Sequence, residues 1–210
     1  MTPDSAVAST YLKPGGDSAV AGHDTTAVNR VRHDFTGVPS VWLFGYGSLI
    51  YKVDFPYLER RPAIIRGWSR RFWQGSHDHR GTPEHPGRVV TLVPDDGAVC
   101  VGMAYRVAPA TFAQLDFREK NGYMRVATTL DFGGGNSTEG LVYIAASDNA
   151  AWLGPASDAE IARHIAVSVG PSGANSDYVF SLAEALRELG AVDAHVFAVE
   201  AHLREGHHAR

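Results

Sequence analysis

Residues 41–51, VWLFGYGSLIY, mark the predicted start of the folded part of this 210-residue chain. The segment begins with large apolar residues of the kind enriched in buried strands. It then breaks into Gly45-Tyr46-Gly47-Ser48 and becomes apolar again. Glycines at such a break permit a tight turn, or they let the backbone approach another group closely. The segment therefore predicts a strand followed either by a plain turn or by a loop whose N–H groups face a ligand.

Downstream of this segment, as far as about residue 147, short β-rich runs alternate with turn residues. Turns are predicted at residues 95–97 (DDG) and 133–136 (GGGN), and Gly67 is expected to bend one of the strands. One helix interrupts this series, because Pro109 suits a first helical turn and is followed by apolar residues at helical spacing.

After about residue 154 the apolar spacing becomes helical. Ser157 and Glu160 form a capping box at the start of the first of these helices. The three apolar stripes are Ile161, Ile165 and Val169; Val179, Leu182, Leu186 and Leu189; and Val192, Val196, Val199 and Leu203. Strands followed by helices predict an α+β fold, with a curled sheet or small barrel packed by helices.

Composition divides the chain into three parts. Residues 1–39 are rich in small and polar residues and are predicted to be a flexible N-terminal extension, since they offer little apolar surface to bury. Residues 40–205 are predicted to be the folded domain, and residues 206–210 a frayed tail.

Charge and cysteine content exclude several classes of function. A net charge of −4 predicts no nucleic-acid partner. No apolar stretch is long enough to span a membrane, and no signal peptide is visible, so we expect a cytoplasmic protein without a membrane partner. The single cysteine, Cys100, lies in an apolar run and is expected to be a small buried hydrophobe rather than a nucleophile.

Glu119 is the most unusual residue of the chain. It falls on the same helical stripe as Phe112 and Leu115, which predicts that its carboxylate points towards the core. Burial raises a carboxyl pKa and makes the group a useful proton carrier near neutral pH. The alternative is an ordinary ion pair with Arg118, Lys120 or Arg125.

Two loops carry further polar residues. Residues 76–89, SHDHRGTPEHPGRV, contain three histidines that invite a zinc site, but Arg80 and the glycines and prolines favour a hydrogen-bonded loop flanking a pocket. Residues 170–178, GPSGANSDY, predict a helix stop followed by an N-cap at Asn175. The same geometry would aim backbone N–H groups and Tyr178 at an anion.

An ordered set of motifs resembles one family. The motifs FGYGSLIY, GWSRRFWQGSHDHRGTPEHPGRVVTL, GMAYRV, LDFREKNGY, WLGPAS and GPSGANSDYVFSL occur in this order between about residues 41 and 189. Together they resemble the ChaC-like γ-glutamylcyclotransferases. Tyr51 stands where many members of the family have tryptophan.

The resemblance implies an α+β fold with a small mixed barrel and a cofactor-free, metal-free reaction on glutathione, the small-molecule partner. In that reaction the α-amine of the γ-glutamyl unit attacks its own side-chain amide carbonyl, so that 5-oxoproline forms and Cys-Gly leaves. Matching the motifs residue by residue makes Glu119 the catalytic residue. The substrate-binding residues that the resemblance implies are Gly45, Tyr46, Gly47, Ser48, Leu49, Ile50, Tyr123 and Tyr178.

Other functions remain alternatives at the level of sequence. The chain could be a cyclotransferase for another γ-glutamyl amine, a non-catalytic γ-glutamyl-binding or protein-interaction module, or a histidine-rich metal binder. An intact Glu119 argues against a binder, since binding alone needs no buried base. The histidine loop at residues 77–85 is the whole basis for a metal binder.

Overall fold

A computed structural model describes residues 24–208, in which five strands close into a barrel. The strands are β1 (Val41–Gly45), β2 (Glu59–Ser76), β3 (Gly87–Val107), β4 (Tyr123–Asp131) and β5 (Ser137–Ala145), in the order β1-β3-β2-β4-β5. Neighbours are antiparallel except at the closure, where β5 pairs with β1 in parallel. The predicted α+β class with a small mixed barrel is confirmed.

The helices are α1 (Thr26–Arg32), α2 (Thr111–Arg118), α3 (Asp158–Val167), α4 (Asn175–Glu188) and α5 (Ala194–His208), with a 3₁₀ turn at Ser48–Ile50. A two-residue hairpin, β6 (Val169–Gly170) and β7 (Gly173–Ala174), joins α3 to α4. The apolar faces of α3, α4 and α5 share one core with the barrel interior, which includes Phe72, Ile161, Leu182 and Val199. Cys100 is buried in this core, as predicted.

Strand β3 differs from the prediction of two strands separated by a turn at residues 95–97. Arg66 pairs with Val99 and Trp68 with Pro94, so residues 95–98 stand opposite Gly67 alone as a bulge in a continuous strand. Both a turn and a bulge require backbone that glycine adopts easily, and Gly97 has φ +83°. The bend predicted at Gly67 is present, with φ +79°.

Two predicted helix ends are wrong. Helix α3 ends at Val167, because Ser168 is extended and Val169 enters β6 with its side chain largely exposed. Helix α5 continues to His208, so residues 206–208 of the predicted frayed tail are helical, while residues 209–210 lie outside the described residues.

The predicted capping box is present at the start of α3. The Ser157 side chain accepts a hydrogen bond from the Glu160 N–H at 3.3 Å, and the Glu160 carboxylate accepts from the Ser157 N–H at 3.0 Å. Two N–H groups that the helix cannot satisfy internally are thereby paired.

We expect Ser157→Ala to lower the free energy of unfolding by about 1 kcal/mol, because the first turn of α3 loses its side-chain acceptor. Urea unfolding followed by circular dichroism measures this loss. Ser147→Ala, at an exposed loop serine, is the matched control and should leave the midpoint unchanged. Equal stabilities for the two variants would contradict the prediction.

The predicted boundary at residue 40 differs from the structure. Helix α1 lies before it, and its Asn29 is fully buried. Burial is possible for this polar side chain because its Nδ2 donates to the Tyr123 carbonyl at 2.9 Å and its Oδ1 accepts from the Arg125 N–H at 2.9 Å. Residues 24–39 thus join the domain through these hydrogen bonds and through Phe35, whose ring stacks on Phe112 with the centroids 4.8 Å apart. Residues 1–23 of the predicted extension lie outside the described residues.

Within residues 24–208, no helix combines the length and the apolar character needed to cross a membrane.

Candidate active site

A cavity opens between the loop after β1, the C-terminal end of α2, the loop after β2 and the start of α4. All but one of the predicted site residues line it, namely Gly45, Tyr46, Gly47, Ser48, Leu49, Glu119, Tyr123 and Tyr178. The exception is Ile50, whose side chain is buried in the apolar core beneath the loop. The topology therefore brings together residues that lie more than 100 positions apart in the sequence.

The space around Gly47 favours glycine, although its φ is not a left-handed one. Its φ is −118°, which any residue adopts. A Cβ atom there would lie 2.9 Å from the Tyr178 hydroxyl oxygen and 3.0 Å from Cγ2 of Val90. Both neighbours line the cavity. The backbone at Gly47 therefore approaches side chains of the cavity wall closely, and that its N–H groups face a ligand stays a prediction.

The 3₁₀ turn that follows Gly47 leaves backbone donors on the cavity wall. Ile50 and Tyr51 donate back to the carbonyls of Gly47 and Ser48, at 3.0 and 3.2 Å. The first N–H groups of any helix lack a partner within it. Within residues 24–208, the N–H groups of Ser48 and Leu49 donate to no other residue. Two fixed donors are thus available to a ligand.

Glu119 ends α2, where its N–H still donates to the Leu115 carbonyl at 2.8 Å. The side chain is 18% exposed, and its Oε1 lies 3.3 Å from Nε of Arg118. Burial raises the pKa of this carboxyl; Arg118 opposes that rise, whereas Asp54 and Asp78 add to it. The buried carboxylate and the ion pair that the sequence offered as alternatives therefore occur together, and the net result is a raised pKa.

Arg118 connects Glu119 to the glycine loop. Its Nη2 donates to the Ser48 hydroxyl at 3.0 Å, and its Nη1 forms an ion pair with Asp54. The guanidinium therefore holds the carboxylate and the loop in one network. From the sequence, Arg118 is predicted only as an ion-pair partner of Glu119, and its position directly before Glu119 is the available signal of this role.

Several tyrosines also line the cavity. Tyr123 donates to the Val90 carbonyl at 2.8 Å, and Tyr46 donates to the Tyr143 carbonyl at 2.8 Å. Burial raises the pKa of both side chains, so they stay protonated at neutral pH.

Tyr51 lines the cavity but is not among the site residues predicted from the sequence. Burial raises its pKa to about 12, so the hydroxyl is a neutral donor. Within the part of the chain that the structure describes, this hydroxyl is buried and has no hydrogen-bond partner. Its ring meets that of Tyr178 edge to face, with the centroids 6.5 Å apart.

The histidine loop flanks the cavity, as the pocket hypothesis predicted. Asp78, His79 and Arg80 line it, with Nδ1 of His79 3.1 Å from the Ser172 hydroxyl. Arg80 donates to the Ala174 carbonyl at 2.9 Å. Among residues 24–208, the side chains of His, Cys, Asp and Glu form no group of three or more that could hold a metal ion.

The predicted N-cap at Asn175 is wrong. The N-cap of α4 is Ala174, and Asn175 is the first helical residue. Its buried amide exchanges two hydrogen bonds with the backbone of Arg88, at 2.6 and 2.8 Å, because β3 starts beside the helix and needs these partners. Three residues later, Tyr178 faces the cavity.

Comparison with known proteins identifies relatives that cover most of the chain. The model of a family described as ChaC-like protein matches residues 41–206. Glutathione-specific gamma-glutamylcyclotransferase 1 of Danio rerio is 43% identical over 177 residues, which is 80% of this chain and 90% of that protein. Gamma-glutamylcyclotransferase 2-3 of Arabidopsis thaliana is 44% identical over 170 residues, 75% of this chain and 85% of that protein.

A solved structure has the same fold. The crystal structure of the glutathione-specific γ-glutamyl cyclotransferase from yeast superposes with a TM-score of 0.73 at 33% identity, and the match covers 80% of this chain and 96% of the yeast chain.

Proposed function

The chain belongs to the ChaC-like protein family, and we propose that it is a glutathione-specific γ-glutamylcyclotransferase in which Glu119 carries the proton. The observation that carries the proposal is the position of Glu119. A carboxylate with a raised pKa lines the same cavity as a glycine loop whose Ser48 and Leu49 N–H groups have no partner within residues 24–208. The reaction converts glutathione to 5-oxoproline and Cys-Gly, which makes the enzyme a lyase of glutathione catabolism.

The first step needs a base. The α-ammonium of the γ-glutamyl unit cannot attack until it loses a proton, which the Glu119 carboxylate accepts. The free amine then forms a bond to the γ-carbonyl carbon, and the carbonyl electrons move to its oxygen. When this intermediate collapses, the C–N bond to the cysteine residue breaks, and the same proton passes from Glu119 to the leaving amine. The ring nitrogen loses its second proton to the regenerated Glu119 carboxylate, which passes it to the released amine, so that a neutral lactam and the ammonium form of Cys-Gly result. One group with a raised pKa serves both steps in turn.

The loop after β1 supports the charge that develops. The γ-carbonyl oxygen becomes negative in the tetrahedral intermediate, and fixed donors stabilise it most when they need no reorganisation. The N–H groups of Ser48 and Leu49 and the Tyr51 hydroxyl are donors of this kind. Because ring closure is intramolecular, a wall that holds the γ-glutamyl chain curled also removes much of the entropic barrier.

Cations on the cavity wall suit the two carboxylates of glutathione. Arg118 is bound to Ser48 and Asp54, and Lys52 and Arg80 line the same cavity. Arginine in particular matches the geometry of a carboxylate. These residues offset the negative charge that Asp54, Asp78 and Glu119 place in the site.

A cyclotransferase for another γ-glutamyl amine is the second candidate, since the name of the Arabidopsis relative specifies no glutathione. The experiment compares kcat/KM of the purified protein for glutathione and for γ-glutamylalanine, which shares the reacting half but lacks the Cys-Gly half. The proposed function predicts a strong preference for glutathione. Equal values would support the second candidate.

Turnover should depend on pH through Glu119. The base must be ionised to accept a proton, so kcat should fall as the pH drops through the raised pKa of this carboxyl, above the ordinary value of 4.5. A pH profile of kcat under saturating glutathione measures the midpoint of this acid limb. A limb at or below the ordinary glutamate value would contradict the role of a buried base.

The cytoplasmic location and the absence of a nucleic-acid partner stay predictions from the sequence.

A further inference from the structure

The N-terminal segment, residues 24–39, lies outside the part of the chain that the family model matches, which begins at residue 41. Even so, Thr25 is 7% exposed and Asn29 is fully buried. Polar side chains are buried this completely when hydrogen bonds hold them. Their partners therefore show what the segment is attached to.

Those partners belong to the turn that directly follows Glu119. The Thr25 N–H donates to the Lys120 carbonyl at 2.8 Å, and the Thr25 hydroxyl lies 2.7 Å from the Tyr123 carbonyl oxygen and 3.1 Å from that of Lys120. Asn29 Nδ2 adds a bond to the Tyr123 carbonyl at 2.9 Å. Both ends of the turn at residues 120–123 are thus held by the N-terminal segment.

The opposite side of the turn is held by the barrel. Gln74 donates to the Asn121 carbonyl at 2.9 Å, and Asn121 donates to the Gly75 carbonyl at 3.0 Å. Gly122 has φ +86°, a left-handed angle that other residues seldom adopt. The turn is therefore clamped between β2 and the N-terminal segment, and losing one clamp frees one side of it.

A second connection runs from Asn29 to the helix that carries Glu119. The Arg125 guanidinium donates to the Asn29 carbonyl, and Nε of Arg125 lies 3.3 Å from Oδ1 of Asp116. Asp116 precedes Glu119 by one helical turn and accepts from the Tyr143 hydroxyl at 2.6 Å; Tyr143 lines the cavity. Asn29 thus contacts the chain after Glu119 directly and the chain before it through one arginine.

We propose that Thr25 and Asn29 are positioning residues of the active site, which hold the turn at residues 120–123 and thereby orient the Glu119 carboxylate. This inference rests on the proposed function of Glu119. Glu119 needs such support because it stands at the end of a short helix, α2, which spans only residues 111–118. The backbone of a helix frays most easily at its ends. A displacement of about 1 Å at a catalytic group can cost ~10²-fold in rate.

The test uses the full chain with single substitutions. Thr25→Val keeps the shape and removes the hydroxyl, Thr25→Ser keeps the hydroxyl, and Asn29→Ala removes both amide contacts. Thr26→Val is the matched control, because the same change is made at the neighbouring position, whose hydroxyl bonds to no residue of the turn. For each variant kcat, KM, the pH profile and amide hydrogen exchange across residues 116–125 are measured.

We expect Thr25→Val and Asn29→Ala to lower kcat by ~10-fold or more with little change in KM. Exchange across residues 116–125 should accelerate. The acid limb of kcat should move to lower pH, since a less enclosed Glu119, still facing Arg118, Asp54 and Asp78, titrates closer to its ordinary value. Thr25→Ser should restore kcat, and Thr26→Val should behave like the wild type.

The inference is overturned if Thr25→Val loses no more activity than Thr26→Val. In that case, amide exchange across residues 116–125 and the acid limb of the kcat profile would also match those of the wild type. Should Asn29→Ala fail to fold because the buried Arg125 N–H loses its side-chain acceptor, Thr25→Val still decides the matter. If the wild-type protein does not act on glutathione, the proposed function fails, while the exchange measurement still reports whether the segment holds the turn.

Discussion

Glu119→Gln is expected to lower kcat on glutathione by at least ~10²–10⁴-fold, the usual contribution of general acid–base catalysis. The amide has nearly the size and shape of the carboxylate but cannot accept the proton of the α-ammonium or return one to the leaving amine. Affinity for glutathione should change little, because the loop after β1 and the cations of the cavity remain. Turnover and calorimetric binding are measured on the same preparation.

Stability separates this role from that of a structural ion pair. Because burial raises the folded-state pKa of Glu119 above its unfolded value, the group stabilises the fold at low pH, and that contribution is lost as the pH rises through the folded-state pKa. At neutral pH, Glu119→Gln should therefore leave the melting temperature unchanged or raise it. Glu139→Gln, at an exposed position on β5, is the control. A less stable Glu119→Gln protein that keeps full turnover would show that the carboxylate serves only to pair with Arg118.

Gly47→Val should abolish most turnover while leaving the protein folded. The added Cβ would lie 2.9 Å from the Tyr178 hydroxyl oxygen and 3.0 Å from Val90, so the side chain enters the cavity wall beside the loop donors. A displacement of substrate by about 1 Å accounts for a loss of ~10²-fold, and overpacking of this kind costs about 1–3 kcal/mol of stability. Kinetic assays measure turnover, a binding assay measures the affinity for glutathione, and urea unfolding measures the stability.

Gly206→Val provides the comparison, since a Cβ atom at this exposed helical glycine meets nothing within 4 Å. Because valine has a higher helix propensity than glycine, this substitution should leave stability unchanged or raise it slightly, and it should leave turnover intact. If Gly47→Val unfolds the protein but the folded fraction turns over at the wild-type rate, Gly47 is a turn residue and the loop does not bind substrate.

The strand and helix positions could be predicted well where apolar spacing and capping agree, as at Ser157 and along α4. The predicted local structure is wrong where the residue types of a segment suit two different structures. The glycine and aspartates at residues 95–97 suit a turn, yet they form a bulge, because the register of β2 against β3 is a tertiary property. Val169 fits the helical stripe of α3, but the next strand begins there.

The candidate site was predictable to the extent that local motifs carry it. The glycine loop, Glu119 and Tyr178 each stand in a recognisable motif, and the closed barrel brings them to one cavity. Arg118, Tyr51 and the buried Thr25 and Asn29 were not selected, since their roles come from contacts with residues distant in sequence. A polar segment with few apolar residues resembles a flexible extension unless its hydrogen-bond partners are known.

The most direct test of the account is an identification of the products that the purified protein forms from reduced glutathione. The account predicts equal amounts of 5-oxoproline and Cys-Gly, formed at the same rate with and without a metal chelator, and formed at least ~10²-fold more slowly by Glu119→Gln under the same conditions. Release of free glutamate in place of 5-oxoproline would mean that water, not the α-amine, attacks the γ-carbonyl, and it would contradict the account.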